Sequence, residues 1–332
     1  MTKTFKAIQA IQIQDDLDID LRDIGEESLS EGNVTVDISY STINYKDGLA
    51  LLGNQGRVMR TIPMIPGIDF SGKVVRSEHN DFNIGDEVIL TGWGLGESHT
   101  GGLSQKARVN GDWLVKLPKE LSLKDAMSIG TAGFTAMLCV MELESNGVKP
   151  SNDQILVTGA GGGVGSIAVS ILSHLGFEVV ASTRRSEIHD YLQELGASSI
   201  IDSETFDSVS RPLMPELWGG VIDTVGGNVL GALIPSVKYW GCIASCGNAG
   251  GINFSSNVLP FILRGIKLQG VESVYASIEN RKIAWDRLAK SLSKSKLNEV
   301  TNIVGISEVF NIAEQILEGK VKGRTVVDVN NF

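Results

Sequence analysis

The chain has 332 residues, 42% of them hydrophobic and 20% charged, and this length and composition predict a globular protein of about two domains. Its 29 basic and 39 acidic residues give a net charge of −10 at pH 7. An acidic protein repels nucleic-acid phosphates and anionic lipid, which argues against both as partners. Any anionic ligand must therefore be bound by local groups.

The cysteine count and the first residues of the chain bear on its location. Cys139, Cys242 and Cys246 are too few for a disulfide framework. The start, MTKTFKAIQAIQIQDD, lacks the apolar region of a secretory signal, and no apolar run reaches the roughly 18 residues that a membrane span needs. We therefore expect a cytoplasmic protein that does not act at a membrane.

The first third of the chain has the pattern of short strands separated by turns. Its strand candidates include FKAIQAIQI, NVTVDISYS, GKVVRSE and DEVILTGWG. In NVTVDISYS the apolar residues Val34, Val36 and Ile38 alternate and so share one face of the strand. A β-rich domain is predicted here.

From about residue 121 the pattern becomes helical, and strands then alternate with helices. The strand candidates of this region are QILVTG, FEVVAST, SIID, GGVIDTVGG and GCIASCG. Such alternation predicts a parallel sheet with helices on its faces. After residue 300, strand, helix and strand follow, and the last strand is able to return to the first domain. We predict an α/β protein with a β-rich domain of residues 1–120 and 300–332 and a doubly wound domain of residues 121–299.

A glycine-rich loop, VTGAGGGVGSIAV at residues 157–169, follows a β-branched strand and precedes an amphipathic helix. Ala160, Gly162 and Gly165 have the spacing of a dinucleotide fingerprint, with alanine at its first position. The first helical turn leaves backbone N–H groups unpaired beside a positive dipole end, which suits a diphosphate. The alternative is a turn that needs glycines only for tight packing. The candidate cofactor contacts are Gly162, Gly163, Val164, Gly165, Ser166 and Ile167.

The end of the next strand discriminates between the two nicotinamide dinucleotides. NAD-binding proteins usually place an acidic residue there, but this chain has Ser182, Thr183, Arg184 and Arg185. Guanidinium and hydroxyl groups hydrogen-bond a 2′-phosphate, so NADPH is predicted as the cofactor. The alternative is that the arginines only solubilise the strand end.

Several motifs together resemble the medium-chain dehydrogenase/reductase family over essentially the whole chain. Within that family the chain is most similar to the zinc-free quinone-oxidoreductase-like branch and its NADPH-dependent acrylyl-CoA reductases. The resemblance implies a GroES-like substrate domain, a Rossmann-type cofactor domain, an active site in the cleft between them, and a homodimer or higher oligomer. The most specific stretches are PMIPGIDF, TGWG and GTAGFTAMLCVM.

A catalytic metal is not expected. Where zinc-dependent relatives have Gly-His-Glu, this chain has Gly67, Ile68 and Asp69, and the NYKDGLA segment has no cysteine. An isoleucine cannot bind zinc, which needs three or four converging ligands. The four histidines are scattered through unrelated segments. Cys242 and Cys246 have the spacing of a redox or metal pair, but a strand followed by a turn of small residues is the plainer interpretation.

The resemblance also implies roles for individual residues. It places the NYKD segment beside the nicotinamide, where the Tyr45 hydroxyl is a candidate donor to the cofactor or the substrate. Asp47 is a second catalytic candidate, or it orients Asn44, Lys46 or a loop N–H. Further candidate cofactor contacts are Gly247, Asn248 and, near the cofactor phosphates, Arg324.

The predicted activity is metal-free reduction of the C=C bond of a short 2-enoyl-CoA, in particular acrylyl-CoA to propanoyl-CoA, with NADPH. Hydride addition at the β-carbon moves negative charge to the thioester oxygen, which hydrogen-bond donors stabilise without a metal. Two alternatives remain at this stage. One is NADPH-dependent reduction of quinones or unsaturated carbonyls, and the other is an NADPH-binding protein without turnover.

Overall fold

A computed structural model describes residues 4–150, 153–206 and 211–332. In chain order its strands are β1 (Thr4–Ile13), β2 (Asp16–Gly25), β3 (Val34–Thr42), β4 (Asp69–Ser77), β5 (Glu87–Thr91), β6 (Lys106–Val109), β7 (Val115–Lys116), β8 (Gln154–Val157), β9 (Glu178–Thr183), β10 (Ser199–Asp202), β11 (Trp218–Asp223), β12 (Val237–Ser245), β13 (Lys267–Gly270), β14 (Thr301–Gly305) and β15 (Arg324–Asp328). Its α-helices are α1 (Tyr45–Leu51), α2 (Leu123–Ser145), α3 (Gly163–His174), α4 (His189–Leu195), α5 (Gly227–Leu233), α6 (Leu259–Arg264), α7 (Ile278–Ser291), α8 (Lys294–Val300) and α9 (Val309–Leu317).

The chain divides into two compact units. The first unit comprises Met1–Thr131, Val274–Ala289 and Leu297–Phe332, and the second comprises Ala132–Ser273 and Lys290–Lys296. The predicted boundaries, 120/121 and 299/300, differ from this division in three places. Residues 121–131, which include the beginning of α2, residues 274–289, which include most of α7, and residues 297–299 belong to the first unit rather than to the second.

The first unit is built on a mainly antiparallel sheet. Its strands lie in the order β14-β15-β3-β4-β5-β7, with β6 paired to β3, and β1 and β2 form a separate hairpin. The alternating Val34, Val36 and Ile38 of β3 point into the core, where they are at most 2% exposed. The C-terminal strand β15 pairs with β3 and aligns Val326 with Thr42. Residues that are far apart in the sequence are thereby brought together.

The second unit contains a six-stranded sheet in which every neighbouring pair is parallel. The strand order is β10-β9-β8-β11-β12-β13, which is 3-2-1-4-5-6 when the strands of this unit are counted from β8. That order is the Rossmann arrangement, with its switch point at the carboxyl ends of the first and fourth strands. Helices cover both faces of such a sheet, so central strands such as ILV of β8 are apolar throughout. The α/β fold class with a doubly wound sheet is confirmed.

Helix α2 is 23 residues long and is interrupted at Gly130, which has φ 53° and ψ −160°. By length and composition it is apolar enough to cross a membrane, contrary to the expectation from the sequence that no run reaches that length. Within the protein, however, 83% of its apolar window is buried. The side chains of this helix therefore belong to the protein core.

A buried arginine explains why α7 belongs to the first unit. Arg281 is 1% exposed and donates from Nη1 to the Thr91 carbonyl at 2.7 Å, from Nη2 to the Val274 carbonyl at 2.8 Å and from Nε to the Ala276 carbonyl at 3.0 Å. Its guanidinium also lies 5.1 Å from the centre of the Trp93 ring. This one side chain ties residues 274–281 to the loop that follows β5.

We expect Arg281→Met to lower the free energy of unfolding by about 3 kcal/mol or more, because the buried Thr91 carbonyl and the partly buried carbonyl groups of Val274 and Ala276 lose their donor. Urea denaturation followed by tryptophan fluorescence measures the change. Lys282→Met is the matched control, since Lys282 is an exposed residue of the same helix. An equal loss of stability in both variants would contradict the structural role of Arg281.

Candidate functional site

The glycine-rich loop lies between β8 and α3 of the second unit. Helix α3 begins at Gly163, and its N-cap residue, Gly162, offers no side chain to the N–H groups of the first turn. A Cβ atom at Gly165 would collide with the Gly159 carbonyl oxygen, so only glycine permits this close approach of helix and strand. The loop thus presents bare backbone at a helix N-terminus, the arrangement that binds a diphosphate.

The predicted contacts in this loop differ in their surroundings. Gly162 is exposed, and Gly163 and Val164 are partly exposed. Ser166 is fully buried and its backbone N–H donates to the Gly162 carbonyl at 2.9 Å, while Ile167 is 1% exposed. These last two residues serve the packing of α3, and their direct contact with a cofactor stays a prediction.

The end of β9 lies against this loop. The Ala160 N–H donates to the Ser182 carbonyl at 3.1 Å, and a Cβ atom at Gly161 would lie 2.9 Å from Nη2 of Arg185. The Ser182 hydroxyl is buried and has no hydrogen-bond partner among the residues that the structure describes, and the Thr183 hydroxyl accepts from the Arg185 N–H at 3.1 Å. Bare loop backbone, a guanidinium over the loop and an unpartnered hydroxyl together fit a phosphorylated dinucleotide. The remaining residue of the predicted set, Arg184, is exposed.

A carboxylate that the sequence analysis did not single out holds the neighbouring strand ends together. Asp223, at the end of β11, is fully buried and accepts from the Thr158 hydroxyl at 2.8 Å, the Ser245 hydroxyl at 3.1 Å and the Gly226 N–H at 3.1 Å. The signal in the sequence is an acidic residue that ends the otherwise apolar strand GGVID. The turn that carries the predicted Gly247 and Asn248 follows β12 in the same region.

The cysteine that contacts Cys246 is Cys139 rather than Cys242, the partner that the spacing in the sequence indicates. The Cys139 thiol hydrogen-bonds with Cys246, and this contact, with burial second, raises the pKa of Cys139 well above its ordinary value. Burial also raises the pKa of Cys242 to about 11. Thiols that resist ionisation are poor nucleophiles and metal ligands. The structural interpretation of these cysteines is therefore favoured over a Cys242–Cys246 pair.

In the first unit, Asp47 is a buried acceptor at the start of α1. Its Oδ2 accepts from the backbone N–H of Asn44 at 2.8 Å and from Nδ2 of Asn44 at 3.0 Å, and its Oδ1 accepts from the Ile68 N–H at 3.0 Å. The carboxylate is 1% exposed. Asp47 thus orients Asn44 and a loop N–H, one of the two roles that the sequence left open. Tyr45, by contrast, is 44% exposed, so its side chain is accessible to ligands.

Asn44 lies between two buried carboxylates and a buried arginine. Asp69 is fully buried and accepts from the Thr42 hydroxyl at 2.6 Å, the Thr131 N–H at 2.8 Å and Nδ2 of Asn44 at 3.3 Å. Nη1 of Arg324 donates to Oδ1 of Asn44 at 3.0 Å. Because Arg324 is 3% exposed at this place, its role at the cofactor phosphates stays a prediction.

The buried cluster makes Asp47 titrate near neutral pH. Burial, and second the charge of Asp69, raise the pKa of Asp47 from 3.8 to about 7, against the opposing effect of its hydrogen bonds. Burial also lowers the pKa of Arg324, although the charges of Asp69 and Asp47 favour its protonated form. The charge of the cluster therefore changes in the physiological range.

These residues do not fit a zinc site. In the part of the chain that the structure describes, no group of three or more His, Cys, Asp and Glu side chains is arranged to hold a metal. At Gly67, Ile68 and Asp69 the side chain of Ile68 offers no ligand, and the oxygens of Asp69 already accept three hydrogen bonds from the protein.

Comparisons with known proteins match both units. The alcohol dehydrogenase GroES-like domain family matches residues 30–119, and the family described as zinc-binding dehydrogenase matches residues 163–290. The probable acrylyl-CoA reductase AcuI of Escherichia coli (strain K12) is 51% identical over 92% of this chain and 94% of its own length. The acrylyl-CoA reductase AcuI of Ruegeria pomeroyi is 48% identical over 91% of this chain and 92% of its own length.

The chain belongs to the zinc-free quinone-oxidoreductase-like branch of the medium-chain dehydrogenase/reductase family. Solved structures agree with this assignment. The yhdH oxidoreductase of Salmonella enterica in complex with NADP has a TM-score of 0.95 and 47% identity, covering 98% of this chain and 99% of its own. The Bacillus subtilis protein yhfP with NAD bound has a TM-score of 0.95 and 44% identity, covering 99% of this chain and 100% of its own.

We expect the stability of this protein to depend on pH through Asp47. The pKa of Asp47 is raised on folding, so the folded state retains its proton between pH 3.8 and about 7 while the unfolded state loses it. The contribution of this group to stability therefore falls as pH rises through that window. Asp47→Asn has no such ionisation.

The free energy of unfolding of wild type relative to Asp47→Asn should accordingly be lower at pH 8 than at pH 5. Urea titrations of both proteins at the two pH values measure this difference. A difference that does not change with pH would contradict the raised pKa. The hydrogen bonds that asparagine cannot replace are lost at both pH values and cancel in the comparison.

Proposed function

We propose that this protein uses NADPH to reduce the C=C bond of a short 2-enoyl-CoA, in particular acrylyl-CoA to propanoyl-CoA, without a metal. The observation that carries the proposal is the 51% and 48% identity, over more than nine-tenths of the chain, to two proteins named as acrylyl-CoA reductases or probable ones. The two nucleotide-binding features of the second unit, a bare glycine loop and Arg185 above it, fit the cofactor of that reaction.

The residues of the first unit provide hydrogen bonds for such a reaction. NADPH, when bound, supplies the hydride that adds to the β-carbon of the enoyl thioester. Tyr45 is the exposed member of the NYKD segment, and we assign its hydroxyl the role of donor to the substrate oxygen that gains negative charge. Asp47, Asn44 and Arg324 hold the start of α1, from which Tyr45 projects. They act as positioning residues.

The preference for NADPH over NADH is assigned to the end of β9. The guanidinium of Arg185 over the loop and the hydroxyls of Ser182 and Thr183 are groups that bind a 2′-phosphate, and the sequence has no carboxylate there before Glu187. The relatives differ in this respect, since one solved structure contains NADP and another contains NAD.

We expect Arg185→Ala to weaken NADPH binding by about 1.5–3 kcal/mol, the usual value of a hydrogen bond to a charged group, and to leave NADH binding nearly unchanged. Fluorescence titration with each nucleotide measures both dissociation constants. Arg185→Lys, which retains the positive charge, should restore part of the preference. Equal losses for NADPH and NADH in Arg185→Ala would refute a contact with the 2′-phosphate.

The substrate class is tested by a panel of hydride acceptors. We expect NADPH oxidation to be faster with acrylyl-CoA than with a quinone or an unsaturated aldehyde at equal concentration. Absorbance at the reduced-nicotinamide band follows each reaction, and mass spectrometry identifies propanoyl-CoA as the product. Faster turnover of either competitor would favour the quinone or carbonyl reductase. Cofactor binding without turnover of any acceptor would favour a binding protein.

We further propose a cytoplasmic homodimer or higher homo-oligomer. Strand β13 lies at the end of the six-stranded sheet, and the residues before it expose several large apolar side chains that a second copy would cover. The exposed apolar residues before β13 are Ile252, Phe254, Val258, Ile262 and Leu263.

The cytoplasmic location is supported by the cysteines. The raised pKa values of Cys139 and Cys242 keep these buried thiols protonated, which suits a reducing compartment.

A further inference from the structure

A cluster of cations in the first unit surrounds the Glu97 carboxylate. Nζ of Lys46 lies 2.9 Å from Oε1 of Glu97, and Nη2 of Arg60 lies 3.8 Å from Oε2. The Glu97 side chain is 11% exposed, while those of Lys46 and Arg60 are 36% and 68% exposed. Two cations share one largely buried anion, so the exposed side of this cluster carries net positive charge.

The backbone around Arg60 is held in place. The Arg60 N–H donates to the Glu97 carbonyl at 2.8 Å. The side chain of Asn54 bonds the backbone of Met59 in both directions, accepting from its N–H at 2.7 Å and donating to its carbonyl at 2.9 Å. These two hydrogen bonds close a turn of residues 54–59, and Arg57 is an exposed residue of this turn. The turn therefore presents Arg57 and Arg60 from an ordered backbone.

The cluster is adjacent to the proposed substrate donor. Lys46 follows Tyr45 in α1, and consecutive side chains point about 100° apart around a helix axis. One side chain is thus available to the reacting end of a substrate while the next faces the Glu97 cluster. Lys106 of the same unit is more fully neutralised, since it contacts both Asp37 at 2.7 Å and Glu26 at 3.6 Å.

We propose that Arg57 and Arg60 bind the phosphate groups of the CoA carrier, with Lys46 and Glu97 holding Arg60 at the edge of the cluster. This inference rests on the proposed function, because CoA carries its phosphates at the end of the pantetheine arm remote from the thioester. A protein with a net charge of −10 needs local cations to bind such a substrate. Glu97 holds Lys46 and Arg60 in position and keeps part of their charge compensated when no substrate is bound.

The test compares thioesters that differ only in their phosphates. Arg57→Ala/Arg60→Ala should raise KM for acrylyl-CoA about tenfold or more, which corresponds to a loss of about 1.4 kcal/mol or more, and leave kcat unchanged. KM for S-acrylyl-N-acetylcysteamine, which has no phosphate, and KM for NADPH should not change. With acrylyl-dephospho-CoA, loss of the effect assigns the cations to the 3′-phosphate, and persistence of the effect assigns them to the diphosphate.

Two control proteins separate this effect from general changes in charge or folding. Lys73→Ala/Lys116→Ala removes two other exposed cations of the same unit and should leave KM for acrylyl-CoA unchanged. Arg57→Lys/Arg60→Lys should retain most of the affinity.

Three results would overturn the inference. They are an unchanged KM for acrylyl-CoA, an equal rise for the phosphate-free thioester, and a rise confined to NADPH. Failure of the proposed function is a separate result, in which the wild type reduces neither thioester.

Discussion

The buried carboxylate of Asp69 is the constraint on which the polar centre of the first unit depends. Removing a carboxylate from water costs several kcal/mol unless donors compensate it. Here the donors come from three separate segments: the Thr42 hydroxyl at the end of β3, the Asn44 side chain before α1 and the Thr131 N–H in α2. These segments must be in place together for the charge to be tolerated, so Asp69 links the sheet to both helices.

The orientation of the Asn44 amide follows from that charge. Its Nδ2 faces Asp69 and Asp47 and its Oδ1 faces Arg324, and the reversed amide would place oxygen against two carboxylates and nitrogen against a guanidinium. The fixed amide in turn fixes the first turn of α1. The backbone of Tyr45, the first residue of that helix, consequently has a fixed position, although the Tyr45 side chain is exposed.

The interruption of α2 at Gly130 belongs to the same network. A Cβ atom at Gly130 would lie 2.5 Å from Nη2 of Arg324 and 3.1 Å from Oδ2 of Asp69, so a side chain there would displace these two charged groups. The positive φ of this residue turns the Thr131 N–H toward Asp69. The buried charge of Asp69 therefore needs the Thr131 N–H that the backbone geometry of Gly130 provides.

The features predictable from the sequence are those encoded by neighbouring residues. The glycine loop, the strand before it, the helix after it and the arginines at the end of β9 are all visible as local patterns, and the parallel sheet follows from their alternation. The contact between Asn44 and Arg324 joins residues 280 positions apart and exists only because β15 pairs with β3. Sequence spacing carries no information about such a contact.

The misplaced boundary at α7 has a similar cause. A helix after the last strand of a doubly wound sheet looks like one more member of the alternating series, because its apolar spacing is the same in either unit. Its first part is tied to the β-rich unit by the hydrogen bonds from Arg281 to the carbonyl and hydroxyl groups of Thr91, and an arginine in a helix is ordinarily taken as a surface residue. The role of Asp223 is not visible in the sequence either. Its partners are hydroxyl and backbone groups that become neighbours only when parallel strands end side by side.

An acidic protein that binds anions must concentrate its positive potential in small regions, and the two units achieve this by different physical means. In the second unit, the backbone N–H groups of α3 contribute partial charge that no titration can remove, and Arg185 adds a full charge beside them. In the first unit the positive charge resides on side chains alone, so it needs a counter-ion to hold the cations together against their mutual repulsion. Glu97 meets that need, and because its carboxylate is mostly buried while the cations are exposed, the potential on the solvent side remains positive.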